Sequence, residues 1–229
     1  MLGNAAPTPY DLRFSLFGIP VRVHPMFWVF SAVMGWDRND FNFMLLWIGC
    51  VFLSILVHEL GHALTAQHFG WRPEIVLYAF GGYAGFMPTW NFSTRRSVLV
   101  SLAGPGAGFV LFGIVWGLER LIFHMGWLPD SPQQALYLIW VLQTLIFINL
   151  WWGLVNLLPV YPLDGGQVSR ELLRHFRPYD GLEISLKLSI LLGGCAAAFF
   201  LTHQQMFAGI LFLSLTFESL QHLQMGRYR

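Results

Sequence analysis

The sequence predicts an all-α polytopic membrane protein, with about six transmembrane helices and one short membrane-surface β-hairpin between the second and third spans. Three observations carry that expectation. Of 229 residues, 55% are hydrophobic and only 11% are charged, where a soluble domain carries about 25% charge. Mean hydropathy is +0.55. Several apolar runs also approach or exceed the roughly 20 residues needed to cross a bilayer. No long polar segment remains to build an extramembrane domain, so residues 1–229 read as a single transmembrane domain.

The N-terminal stretch "MLGNAAPTPYDLRFS" is not expected to be a secretory signal, because no basic region leads into an apolar stretch with a small-residue cleavage site. Apolar helices are then expected at roughly 24–36, 41–69, 96–118, 134–158, 183–202 and 206–222. Cys50 and Cys195 both fall inside apolar runs and read as small buried hydrophobes, not as a disulfide or a metal pair. The net formal charge of +1 gives no ground for a nucleic-acid partner, and none is expected.

Two connections look structured. After the second span, "PEIVLYAFGGYAGFMP" has aromatic and branched residues interrupted by Gly81-Gly82 and closed by Pro88. That pattern predicts a hairpin whose glycines supply the positive φ of a tight turn. After the fourth span, "PLDGGQVSRELLRHF" predicts a turn and then an amphipathic helix over 165–177. Leu172, Leu173 and Phe176 share one face there, and Arg170, Arg174 and Arg177 share another, as on a helix lying on the membrane surface.

The 13 basic residues set the expected orientation. Eleven (Arg13, Arg22, Arg72, Arg95, Arg96, Arg170, Arg174, Arg177, Lys187, Arg227 and Arg229) fall on one side of these spans. Only Arg38 and Arg120 fall on the other. Basic residues in short loops stay cytoplasmic, so both termini are expected in the cytoplasm.

The second span carries the chemistry. From Phe41 to Ala66, Glu59 is the only formally charged residue. An ionisable group in a span costs roughly 2.5–3.5 kcal/mol and marks function by default. His58 and His62 are four residues apart, on one helical face, where two neutral imidazoles can bind one cation. Glu59 can then reach a water on that cation, the H-E-x-x-H arrangement of zinc hydrolases with glutamate as general base. The bland alternative is a pair of satisfied core histidines and a Glu paired to an Arg from another element.

A zinc site needs a third protein ligand and an open position. His24, His68, His124, His175, His203, His222 and a few carboxylates are the candidates. His68 lies about 240° around the helix from His62, and His124, His203 and His222 are assigned to the opposite face or to a helix end. Asp164, in "NLLPVYPLDGG", follows the fourth span on the side where the second span ends. His62 lies about 12 Å along the helix from Gly70, a depth Asp164 could reach. Read alone, Asp-Gly-Gly is ordinary turn or helix-cap chemistry.

Taken together, "HELGH" at 58–62 and "NLLPVYPLDGG" at 156–166 resemble the site-2 protease family of intramembrane zinc metalloproteases. The stretch "LFGIPVRVHPMF" resembles its small sporulation-type branch. The resemblance covers nearly the whole chain. It implies one Zn2+ per chain held by His58, His62 and Asp164, with Glu59 as catalytic acid/base. It also implies a substrate-binding role for Asn156 and for Gly81 and Gly82, while the depth of His62 along its span puts the expected active site nearer the cytoplasmic side. One departure is visible: "AGPGAGF" in the third span has Gly108 near the place where the family usually has an Asn. No PDZ or CBS domain is expected. The implied partners are the lipid bilayer and a single-span membrane-protein substrate, such as a membrane-tethered transcription regulator, an anti-sigma factor or a remnant signal peptide. Two rival readings are a catalytically inactive, helix-binding relative and a zinc or proton transporter.

Overall fold

The computed structural model describes residues 6–36, 40–79, 81–87 and 92–227. Arg38, Pro88 and Arg229, used above for the orientation and the hairpin's end, lie outside them.

The chain runs β1 (Leu12–Leu16), β2 (Ile19–Val23), α1 (Pro25–Met34), α2 (Phe41–His68), β3 (Arg72–Tyr78), β4 (Gly81–Met87), α3 (Thr94–Met125), α4 (Pro132–Asn156), α5 (Asp164–Phe176), α6 (Gly181–Thr202) and α7 (Met206–Arg227). Five helices, α2, α3, α4, α6 and α7, are long and apolar enough to cross a membrane. Their outward side chains are large and apolar: Val110, Ile114, Phe147, Leu191 and Phe217 are all exposed. A lipid solvent removes the penalty such a surface would carry in water.

The expected first span is the exception. α1 has ten residues, about 15 Å of helix, half of the roughly 30 Å hydrocarbon core. Its start is sharply defined, since Pro25 follows the N-cap His24, whose Nδ1 accepts from Met26 N at 3.1 Å. Six full-length apolar helices are therefore not seen among the described residues.

The sheet is also larger than one hairpin. It has four strands in the order β1-β2-β3-β4, with β2 and β3 parallel and the other two pairs antiparallel. The β1–β2 hairpin was not expected from the sequence. Ile19, Val21 and Val23 of β2 are buried at alternate positions and pack with Ile75 and Leu77 of β3 against Ile55, Leu56 and Ala63 of α2. Burying each such side chain contributes about 1.5–3 kcal/mol, and the sheet is thereby fastened to the helix that carries His58 and His62. Ahead of β1, Asp11 accepts from Thr8 Oγ1 at 2.6 Å and from Arg22 at 3.1 Å. The Thr8 hydroxyl chiefly, with burial opposing and the Thr8 N–H and Arg22 assisting, holds its carboxyl down at about 2.

Contacts divide the chain into two compact units, residues 2–91 with 103–153 and residues 92–102 with 154–229. In the first, Cys50 of α2 packs with Val115 and Ile122 of α3 and Leu142 and Leu145 of α4. Asp40 caps α2 by accepting from Asn42 N at 2.8 Å, and Tyr137 OH of α4 donates to the same carboxylate at 2.7 Å. In the second unit, Val160, Ala197, Phe212 and Leu215 form the core where α6 and α7 pair. Cys195, expected to be buried, is exposed on α6, while Cys50 is buried as expected.

Candidate metal centre

His58, Glu59 and His62 are 4%, 5% and 6% exposed, so α2 carries its polar cluster away from solvent and lipid alike. One turn apart on the helix, the two imidazoles meet edge to face, and their Nε2 atoms stand 3.2 Å apart. Two ligands of a tetrahedral ion, each at 2.0–2.1 Å from it, stand about 3.3 Å apart. The same separation suits an N–H···N bond in which one ring donates to the other.

Glycines make room for this cluster. A β-carbon on Gly61 would collide with the Ala103 carbonyl and stand 2.8 Å from Ala107 Cβ, so α2 and α3 approach backbone to backbone. A β-carbon on Gly104 of α3 would overlap the His62 ring at Nε2. At Gly82 of β4 a β-carbon would lie 2.8 Å from Glu59 Cγ and 3.0 Å from Oε1. The Gly81-Gly82 pair therefore does not form the turn that the sequence predicted. Both residues are strand residues, paired with Tyr78 and Leu77, and the connection is Ala79 with residue 80 outside the described set. Gly81 does take a positive φ, 141°, and lies against Trp152, with its would-be β-carbon 3.4 Å from Cζ2.

Asp164 opens α5 and is 7% exposed. The cap position belongs to Leu163, which makes no side-chain cap bond, so the helix-cap reading of Asp164 does not describe its place. The two glycines after it serve close approach. A β-carbon on Gly165 would collide with the Leu157 carbonyl, and one on Gly166 would lie 2.5 Å from Tyr161 N. α5 thus folds back tightly on the 157–161 segment. Asn156, the last residue of α4, is buried at 8% exposure.

His58 and His62 belong to the first unit and Asp164 to the second, and all three side chains are buried. Two neutral imidazoles and one carboxylate are the donor set of a three-ligand catalytic zinc site with its fourth position open. The other histidines stand apart from such a role. His24 caps α1, and His68, His124, His175, His203 and His222 are exposed. Sequence reasoning missed Gly104. Its signal is present in "AGPGAGF", where three glycines and a proline interrupt an apolar helix. Asn149 of α4 bridges to α2. Its Nδ2 donates to Ser54 Oγ of α2 at 2.9 Å, one turn before His58.

These features define a multi-pass helical membrane protein with a buried His-Glu-x-x-His cluster on a sheet-braced helix. The model of peptidase family M50 matches residues 122–194. A stage IV sporulation protein FB from Bacillus subtilis is 29% identical over 216 residues, covering 92% of this chain and 68% of the relative. A zinc metalloprotease from Methanocaldococcus jannaschii is 31% identical over 169 residues, covering 72% of this chain and 46% of that protein. A putative zinc metalloprotease from Synechocystis is 33% identical, covering 69% of this chain and 43% of that protein. The chain thus spans about two thirds of the first relative and less than half of the other two. A solved site-2 protease from Methanocaldococcus jannaschii shares the fold, with a TM-score of 0.60 at 22% identity over 93% of this chain and 95% of that one. The chain thus matches the peptidase family M50 model over part of its length, its relatives include proteins named as zinc metalloproteases, and its fold is that of the solved site-2 protease.

Proposed function

We propose that this protein is an intramembrane zinc metalloprotease that hydrolyses a peptide bond in or near a transmembrane segment of a membrane-protein substrate. The observation that carries the proposal is the cluster on α2: two imidazoles at ligand spacing and a buried carboxylate between them, inside a helix of spanning length.

His58, His62 and Asp164 would hold the ion. Zinc bound there would supply Lewis-acid polarisation of the scissile carbonyl and lower the pKa of water towards about 7. Glu59 takes a proton from the attacking water and delivers it to the leaving amine nitrogen. Burial of the carboxylate keeps that transfer out of bulk water, where its electrostatic effect would be screened.

A peptide bond in a transmembrane helix is shielded, and its carbonyl is already hydrogen-bonded, so the substrate must unwind before it can react. β4 stands at the edge of the sheet, and its Gly82 backbone lies against Glu59. An extended segment adding to that edge by β-augmentation would run beside the acid/base group. Asn156 and Gly81 are the further residues assigned to substrate. A membrane-tethered transcription regulator, an anti-sigma factor or a remnant signal peptide has the required single span.

The test is co-expression with a tagged single-span substrate. Cleavage is expected with the wild type and absent with Glu59→Gln; cleavage that persists in the variant would overturn the mechanism. Zinc per chain is expected to fall in His62→Ala and in Asp164→Ala, measured on purified protein. An unchanged ratio in the second variant removes Asp164 from the ligand set.

A further inference from the structure

Two helices meet at the HELGH turn with almost nothing between them. Gly61 presses on the backbone of α3, since any β-carbon there would meet the Ala103 carbonyl and Ala107 Cβ. That contact is backbone against backbone and leaves no side chain to yield. It fixes α2 and α3 at a separation where the His62 ring fills the volume directly over Gly104. The glycines of "AGPGAGF" then divide by what they face. At Gly106 nothing lies within 4 Å of a β-carbon, and at Gly108 the nearest atom is Asn149 O at an ordinary 3.7 Å. At Gly104 alone among them a methyl group and the imidazole would claim the same space.

The atom displaced would be His62 Nε2, the nitrogen that stands 3.2 Å from His58 Nε2. A side-chain tip can swing aside, whereas backbone cannot. A methyl at 104 should therefore leave the helix packing in place and move the imidazole off its ligand position. We propose that Gly104 is a positioning residue of the metal centre. The bare α-carbon of α3 sets the rotamer of His62 so that Nε2, and not some other edge of the ring, turns towards His58. The inference rests on the metal-centre reading of the proposed function and adds to it a residue that touches neither metal nor substrate.

The experiment compares purified Gly104→Ala and Gly106→Ala with wild type for two quantities, zinc per chain at limiting free zinc and folded yield by size exclusion and helical circular dichroism. Gly106→Ala is expected to match wild type in both. Gly104→Ala is expected to keep wild-type folded yield and to bind zinc at least tenfold more weakly. Wild-type zinc affinity in Gly104→Ala would overturn the proposal. If Gly104→Ala misfolds, the double variant His62→Ala/Gly104→Ala decides. Recovery of folding to the level of His62→Ala supports the contact, and continued misfolding overturns it. Wild type that binds zinc but cleaves no substrate would defeat the protease reading while leaving this inference standing. Wild type that binds no zinc defeats both.

Discussion

Gly82 lies so close to Glu59 that a β-carbon there would stand 2.8 Å from Glu59 Cγ and equally near Leu77 Cδ2, with Oε1 at 3.0 Å. All three atoms belong to side chains and none to backbone, so Gly82→Ala is expected to fold. The carboxylate would have to turn away from β4, at a geometry where a displacement near 1 Å can cost about a hundredfold in rate. Cleavage in Gly82→Ala is therefore expected to drop by about that factor while zinc per chain stays at the wild-type value. Loss of zinc together with activity would show that Gly82 supports the whole centre and not the base alone. The sequence makes His58, Glu59 and His62 legible because their spacing is local and helical. Gly82 and Gly104 could not be assigned that way. What constrains each is a side chain from another part of the chain, 23 residues away for Gly82 and 42 for Gly104. A glycine carries no trace of which neighbour excludes its β-carbon.

At the scale of elements, the long helices follow from apolar runs, but the β1–β2 hairpin was hidden by its own residues. Pro20 argues against a strand, since it cannot donate to a ladder. Here Pro20 stands opposite Ser15 of β1, and the β2–β3 ladder begins only at Val21, so β3 asks for no N–H at Pro20. Phe17 opens the turn at φ 52°, a left-handed conformation rare for a bulky residue, so "LFGIP" does not read as a hairpin turn. α2 is held from the opposite side by α4. Asn149 Nδ2 donates both to Ser54 Oγ and to the Leu145 carbonyl, each at 2.9 Å, with Asn149 and Ser54 nearly fully buried. Hydrogen bonds of this kind between membrane helices are modest, about 0.6 kcal/mol on average and up to about 1.7. A double-mutant cycle of Ser54→Ala and Asn149→Ala, read by unfolding in lipid or detergent, is expected to give a coupling in that range. Strict additivity of the two variants would mean that the contact contributes nothing to holding α2 in place.

For the molecule as a whole, the short α1 raises the question of parity, because five spans alone would leave the two termini on opposite sides. The sheet bears on the N-terminal part of it. β2 pairs with β3, and β3 begins four residues after α2 ends, so the N-terminal strands stand at the C-terminal end of α2. α3 and α4 run as one consecutive pair of long apolar helices and α6 and α7 as another. The basic residues agree. Arg13, Arg22 and Arg72 lie on the sheet strands, and Arg170, Arg174 and Arg177 lie on or just after α5. All six would be cytoplasmic under the positive-inside rule. Topology reporters fused at the N-terminus and at the C-terminus of the full chain are therefore expected to report the cytoplasm in both cases. A reporter on the loop between α3 and α4, near Asp130, is expected on the far side. Opposite locations for the two termini would break the link between sheet pairing and topology. They would also remove the argument that places His62, six residues before the end of α2 and so about 9 Å from it, nearer the cytoplasm.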